Sequence, residues 1–181
     1  MVNIVTIDQQ RYVVDVGFGP DGPSRPLALI SGDTRSGIGP QSLKLEYRTL
    51  QQHSDPSQRV WVYSHRANDD APWTEAFSFT ETEFFPEDFE VMNLSTMTLR
   101  QSIFTQMVIC TKTLLSENGD VEGVLILSNN AVKKRIGGVT SVVETLKSEE
   151  QRVNALKNWF GIVLSEEEQK GIIGLATELR G

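Results

Sequence analysis

The sequence predicts an α+β fold in which a mostly antiparallel sheet comes first and helices close the chain. Three observations carry this. Runs of β-branched and aromatic residues alternate with polar ones through the first half of the chain. Asn118-Gly119-Asp120 is a strong hairpin turn. Ser148 followed by Gln151, and Ser165 followed by Glu168, have the spacing of helix capping boxes.

The elements follow in order. Ile4-Val5-Thr6-Ile7, a polar turn at Asp8-Gln9-Gln10 and Tyr12-Val13-Val14 predict a β-hairpin. Glycines and prolines crowd residues 17–40, which predicts a long loop or a set of turns. Leu43, Leu45 and Tyr47 alternate with polar residues, as do Val60, Val62 and Ser64 with Trp61 and Tyr63, so two strands are expected there. Residues 51–58 and 68–72 read as a loop and a turn, and Phe77 and Phe79 mark a further strand. Residues 86–97 suit a helix that Pro86 opens, with Glu87, Asp88 and Glu90 at its positive end. Residues 104–115, 121–127 and 139–146 read as strands, with a turn at Ser128-Asn129-Asn130. Val153, Leu156 and Phe160 form the stripe of the first closing helix, which Gly161 stops. Ile172, Ile173, Ala176 and Leu179 follow the second capping box.

Composition narrows the function classes. The 181 residues suit one domain, or one domain with an appendage. The 39% hydrophobic and 23% charged content is a globular balance. A net charge of −7 argues against nucleic acid or an anionic membrane as partner, since both require a basic face. No apolar run approaches the roughly 20 residues that span a bilayer, and the first residues lack the pattern of a secretion signal. The one cysteine, Cys110, cannot form an intramolecular disulfide, which points to the reducing cytoplasm. With His53 and His65 the only histidines, no zinc-ligand spacing exists and no metal is expected.

The most informative segment is Tyr12-Val-Val-Asp15-Val-Gly17-Phe18-Gly19-Pro20. Asp15 closes an apolar strand, where a carboxylate needs a partner. Gly17 and Gly19 free the backbone on either side of Phe18. Three readings meet here. An acid beside an aromatic-tipped loop is the layout of a group that orients a catalytic histidine. The segment is equally a strand running into a Gly/Pro turn, with Asp15 satisfied by backbone amides. Gly17-x-Gly19-x-x-Gly22, with Asp33 downstream, also spells a dinucleotide fingerprint, but that motif must open a helix and Pro20, Pro23 and Pro26 oppose one.

The run Val-Asp15-Val-Gly-Phe-Gly19 resembles the aspartate motif of the arylamine N-acetyltransferases. Residues 79–93, through Glu87-Asp88-Phe89-Glu90-Val91-Met92-Asn93, are similar to that family's linker and following helix, and Ser102-Ile103-Phe104 with the strand through Cys110 resembles its next block. Residues 146–168 are similar to its C-terminal helices. The resemblance implies a partial antiparallel β-barrel over residues 1–85, a connecting helix over 86–97 and a C-terminal α/β lid over 98–181. It implies acetyl transfer from acetyl-coenzyme A, as cosubstrate, to an arylamine or hydrazine through a Cys-His-Asp triad with ping-pong chemistry. Asp15 then corresponds to the triad acid; Phe18, Gly19 and Phe104 line the acceptor pocket; Ser102 falls in the coenzyme A-contacting segment.

The family's nucleophile lies in an Arg-Gly-Gly-x-Cys motif that this sequence lacks, and its triad histidine falls at or just before Met1. The expectation is a truncated form, inactive by itself. The alternative is a non-catalytic remnant that binds coenzyme A or a partner. Cys110 reads as core filling, since a lone cysteine in an apolar strand is a small hydrophobe. His53 and His65 read as exposed surface residues, and Lys133-Lys134-Arg135 as a solvated turn, with a coenzyme A phosphate contact as its other reading. Asn68-Asp69-Asp70 offers too few oxygens for calcium. Trp61, Trp73 and Trp159 fit core contacts better than base stacking.

Overall fold

The computed structural model describes residues 1–180 and has the α+β architecture. The chain divides into two units, residues 1–83 and residues from 84 onward.

The first unit is built from two antiparallel sheets. Strands β1 (Asn3–Ile7), β2 (Gln10–Val14) and β3 (Leu27–Ala28) form one, in that order. Asp8 and Gln9 both take positive φ, at 47° and 65°, which gives the hairpin the turn handedness that matches strand twist. Strands β4 (Thr34–Ser36), β5 (Ser42–Arg48), β6 (Val60–Arg66) and β7 (Thr74–Phe79) form the other. Neither sheet closes on itself. The stretch expected as a long loop or a set of turns contains two short strands, β3 and β4, each added to the edge of a longer neighbour. Val13, Leu27, Leu43, Leu45, Trp61 and Tyr63 bury one core that draws on both sheets. Alternation fixes which faces meet. Leu43, Leu45, Trp61 and Tyr63 point inward, while Lys44, Glu46 and Arg48 form an ion-paired outer row.

The second unit opens with α1 (Pro86–Thr98), where the Asp88 carboxylate accepts the Phe85 N–H at 2.9 Å. Helix α2 (Ile103–Gln106) follows. Strands β8 (Ile109–Leu115), β9 (Val121–Ser128), β10 (Ala131–Ile136) and β11 (Val139–Thr145) make an antiparallel meander. Helix α3 (Glu149–Ala155) runs on into a π-helical turn, Leu156–Phe160, that Gly161 ends at φ +75°. Its apolar stripe, with Ala155 and Phe160, covers Leu125, Leu127, Val132 and Leu146. Helix α4 (Glu166–Lys170) is led by the Ser165/Glu168 capping box.

Three expectations are corrected here. Residues 104–115 are not one strand. Ser102 accepts the Phe104 N–H and starts a helical turn, so the strand begins only at Ile109. Lys133-Lys134-Arg135 is not a turn but the middle of β10, held on both sides by β9 and β11. The last helix stops at Lys170 instead of carrying Ile172 to Leu179. Gly171 follows at once, and Gly174 takes φ +82°, outside the helical region.

Candidate active site

Strand β2 delivers Asp15 to the start of the Gly/Pro segment. There the chain turns, and Asp15 Oδ1 accepts the Gly17 N–H at 2.8 Å, an Asx-type turn. Asp15 is half-buried, and among the described residues no side chain donates a hydrogen bond to its carboxylate. Gly19, at φ +101°, lets the loop reverse, and the Gly22 N–H donates to the Gly19 carbonyl at 3.1 Å. Gly22 lies so close under Phe18 that a Cβ there would meet the Phe18 Cβ at 3.0 Å and the Gly19 oxygen at 3.2 Å. The loop is therefore closed on itself, with the Phe18 ring at its tip, 44% exposed. Asp15, Phe18 and Gly19 lie together on this loop. No helix opens from the three glycines, which removes the dinucleotide reading.

Two residues that the sequence did not single out hold this loop. Tyr63, fully buried on β6, donates its hydroxyl to the Asp21 carbonyl at 3.0 Å. Burial pushes its phenol pKa up, and the carboxylates of Asp21 and Asp15 add to the shift, since each disfavours a nearby phenolate. Phe77 on β7 lies with its ring centroid 5.0 Å from that of Phe18 and 5.0 Å from that of Tyr63. Alternation placed Tyr63 and Phe77 in strands. Their convergence on the loop depends on cross-strand pairing, which no local pattern encodes.

The remaining predicted residues lie in the second unit. The Ser102 hydroxyl is spent on capping α2, accepting the Phe104 N–H at 3.3 Å. Phe104 on α2 is 69% exposed. Cys110 packs beside the second core, and burial raises its thiol pKa, the opposite of what an attacking thiolate requires. The histidines are half-buried, not exposed. His53 Nδ1 lies 3.4 Å from the Leu50 nitrogen and 3.2 Å from the Gln58 oxygen, pinning the loop between β5 and β6. His65 stacks on Tyr63 at 6.3 Å. Asn68 Oδ1 accepts the amides of Asp70 and Ala71, so that cluster is a turn. Each tryptophan has a structural partner: Trp61 donates to Glu81 at 2.8 Å, Trp159 to Glu144 at 2.7 Å, and Lys44 lies 4.5 Å over the Trp73 ring. Among the described residues no group of three His, Cys, Asp or Glu side chains is placed to hold a metal ion, and no helix is long and apolar enough to cross a membrane.

Comparison with known proteins follows the same lines. The fold is similar to the arylamine N-acetyltransferase of Mycobacterium abscessus, with a TM-score of 0.75 at 17% identity over 93% of this chain and 56% of that one. It is similar to the Mycobacterium marinum arylamine N-acetyltransferase in complex with CoA, with a TM-score of 0.71 at 22% identity over 89% and 53% of the two chains. The Salmonella typhimurium enzyme gives a TM-score of 0.75 at 18% identity, over 94% and 59%. In sequence the chain is 35% identical to N-malonyltransferase FDB2 of Fusarium pseudograminearum over 95% of its own length. It is 34% identical to the Gibberella moniliformis protein of the same name over 95%. The chain spans about half the length of these relatives, 53% and 52%. A family model described as N-acetyltransferase matches residues 1–169. The chain belongs to the N-acetyltransferase family, the family of the arylamine N-acetyltransferases.

Proposed function

We propose that this chain carries the acid-bearing part of an N-acyltransferase that moves an acyl group from a coenzyme A thioester to an aromatic amine in the cytoplasm. The observation that supports this reading is the Asp15 carboxylate. It is half-buried at a strand end beside Phe18, with one oxygen on the Gly17 amide and, among the described residues, no side-chain donor. Such a group can accept the Nδ1–H of an imidazole, fix its tautomer and stabilise its charged form as the imidazole takes a thiol proton. Phe18 and Gly19 form one wall of the amine pocket. Acetyl is the acyl group that the solved relatives' names carry, and malonyl the one that the sequence relatives' names carry.

The thiol and imidazole of that triad are not supplied by residues 1–181. Cys110 has a raised thiol pKa, His53 is committed to its own loop, and the His65 ring lies against Tyr63 with no hydrogen bond to Asp15 among the described residues. The purified chain is therefore inactive alone. Both parts are testable with acetyl- and malonyl-coenzyme A and aniline as acceptor. A native polypeptide heavier than 20.2 kDa, captured from its source, is expected to transfer the acyl group, and Asp15→Asn to cut the rate by roughly 10⁴. Turnover by the 181-residue chain that Cys110→Ala abolishes would overturn the assignment. A native mass of 20.2 kDa without transfer would replace the catalytic reading by a thioester- or partner-binding one.

A further inference from the structure

We infer that Phe77 is a positioning residue, whose ring holds Phe18 in place and keeps the residue 17–22 loop closed. In functional terms this rests on reading Phe18 as a wall of the amine pocket. The argument begins with the β6–β7 pairing. Tyr63 and Phe77 face each other across the ladder, and the register shifts immediately beyond them, so that Ser64 opposes Glu75 and Ala76 is the extra residue. A bulge of this kind bends its strand and re-aims the neighbouring side chain. Here it leaves the Phe77 ring between two others: stacked on Tyr63 at 5.0 Å and 29°, and tilted against Phe18 at 5.0 Å and 46°.

The same stack reaches the loop at a second point. The Tyr63 hydroxyl holds the Asp21 carbonyl, so one aromatic pair grips the loop at Phe18 and again at Asp21. Gly19, at positive φ, lies between those points, and the Gly22 N–H just beyond them donates to the Gly19 carbonyl; neither feature involves a side chain. Phe77 is also the only ring within aromatic contact of Phe18 among the described residues. A flat ring can lie against both neighbours at once, whereas a branched aliphatic side chain of similar volume fills the core without offering a face to Phe18. A mere core filler and a positioning residue therefore respond differently to Phe77→Leu.

The test uses the full 181-residue chain carrying 4-fluorophenylalanine. The Phe18 fluorine signal among the eight phenylalanines is identified by its loss in Phe18→Leu. In Phe77→Leu the Phe18 signal is expected to move to the position of the free amino acid, and the Gly22 amide to exchange with solvent roughly twofold to tenfold faster. Phe77→Tyr keeps the ring and is expected to preserve both. On the Phe18→Leu background, Phe77→Leu is expected to add less to Gly22 exchange than it does alone. An unmoved Phe18 signal and unchanged Gly22 exchange in a destabilised but folded Phe77→Leu chain would overturn the inference. If Phe77→Leu does not fold, Phe18→Leu carries the test, and Gly22 exchange left unchanged by that substitution is equally fatal. Aniline binding, read by saturation transfer, separates the two readings. Fluorine and exchange effects in a chain that binds no aniline would leave the positioning role standing and refute the pocket reading.

Discussion

Replacing Arg152 by methionine should weaken the second unit by about 3 kcal/mol. Arg152 is 2% exposed and lies, with Ala155, on the buried side of α3. Its Nε donates to Glu149 Oε2 at 3.0 Å and its Nη2 to Glu149 Oε1, while Nη1 and Nη2 reach the carbonyls of Asn129 at 3.3 Å and Thr177 at 2.7 Å. Glu149 Oε1 in turn accepts the Leu179 N–H at 2.7 Å. One guanidinium thus ties the β9–β10 turn, α3 and the C-terminal segment together. Methionine keeps most of the volume but strips two carbonyls, both on half-buried residues, of their donor, and leaves a carboxylate without its cation. Removing one partner of a buried ion pair costs about 3–5 kcal/mol; Glu149 retains 24% exposure, so water recovers part of that, and the low end applies. For a chain of this length about 3 kcal/mol corresponds to a fall in melting temperature of roughly 6–12 °C. The assay is thermal unfolding followed by circular dichroism and by Trp159 fluorescence. Adding Glu149→Gln to Arg152→Met should recover about 1 kcal/mol, because the orphaned group is then neutral. A single variant that melts within about 1 °C of the parent, or a double variant no better than the single one, would refute the reasoning.

Two further outcomes follow from unit one. Tyr63→Phe removes the hydroxyl that holds the Asp21 carbonyl and should cost about 1 kcal/mol by urea unfolding. Because the Tyr63 pKa is raised on folding, its contribution to stability is complete below the unfolded phenol pKa of about 10 and is lost as pH climbs towards the folded value. Tyrosinate absorbance at about pH 11 should be smaller in the folded chain than in the unfolded one, and Tyr63→Phe should remove that difference. Glu81 has the opposite sign. The Trp61 indole N–H and then the Arg11 guanidinium hold its carboxyl below the usual range, so its contribution is present above the unfolded glutamate pKa and is lost as pH falls through the folded value. Glu81→Gln should therefore flatten the acid limb of the melting temperature against pH, and an unchanged acid limb would show that the pairing is not kept in solution.

Where an element depends on its own residues, the sequence foretold it. The Asp8-Gln9 hairpin, the Asn118-Gly119 turn, the start of α1 at Pro86 and the caps at Ser148 and Ser165 all stand where the residues put them, because each is decided within four positions of backbone. The Asp15-Val-Gly-Phe-Gly loop belongs with these, since its Asx turn and its positive φ at Gly19 are local. Readings that needed to know the neighbours went astray. Residues 104–115 have strand-like composition throughout, yet a serine cap outweighs propensity at the first turn. Lys133-Lys134-Arg135 reads as a charged turn, yet strands on both sides hold it extended.

The amino-acid sequence by itself determined the α+β class, the first hairpin, strands β5 to β7, the helix caps, the family, and the loop that carries Asp15 and Phe18. Those are properties of periodicity, capping and a contiguous motif. Only the tertiary structure decided that Tyr63 and Phe77 grip that loop, that the His65 ring lies against Tyr63, and that Arg152 is buried. The partners of Tyr63 and Arg152 lie 42, 23 and 25 residues away in sequence. Contacts across such distances are fixed by strand register and by which faces meet. A side chain's burial, hydrogen bonds and pKa follow from that placement and not from its sequence neighbours.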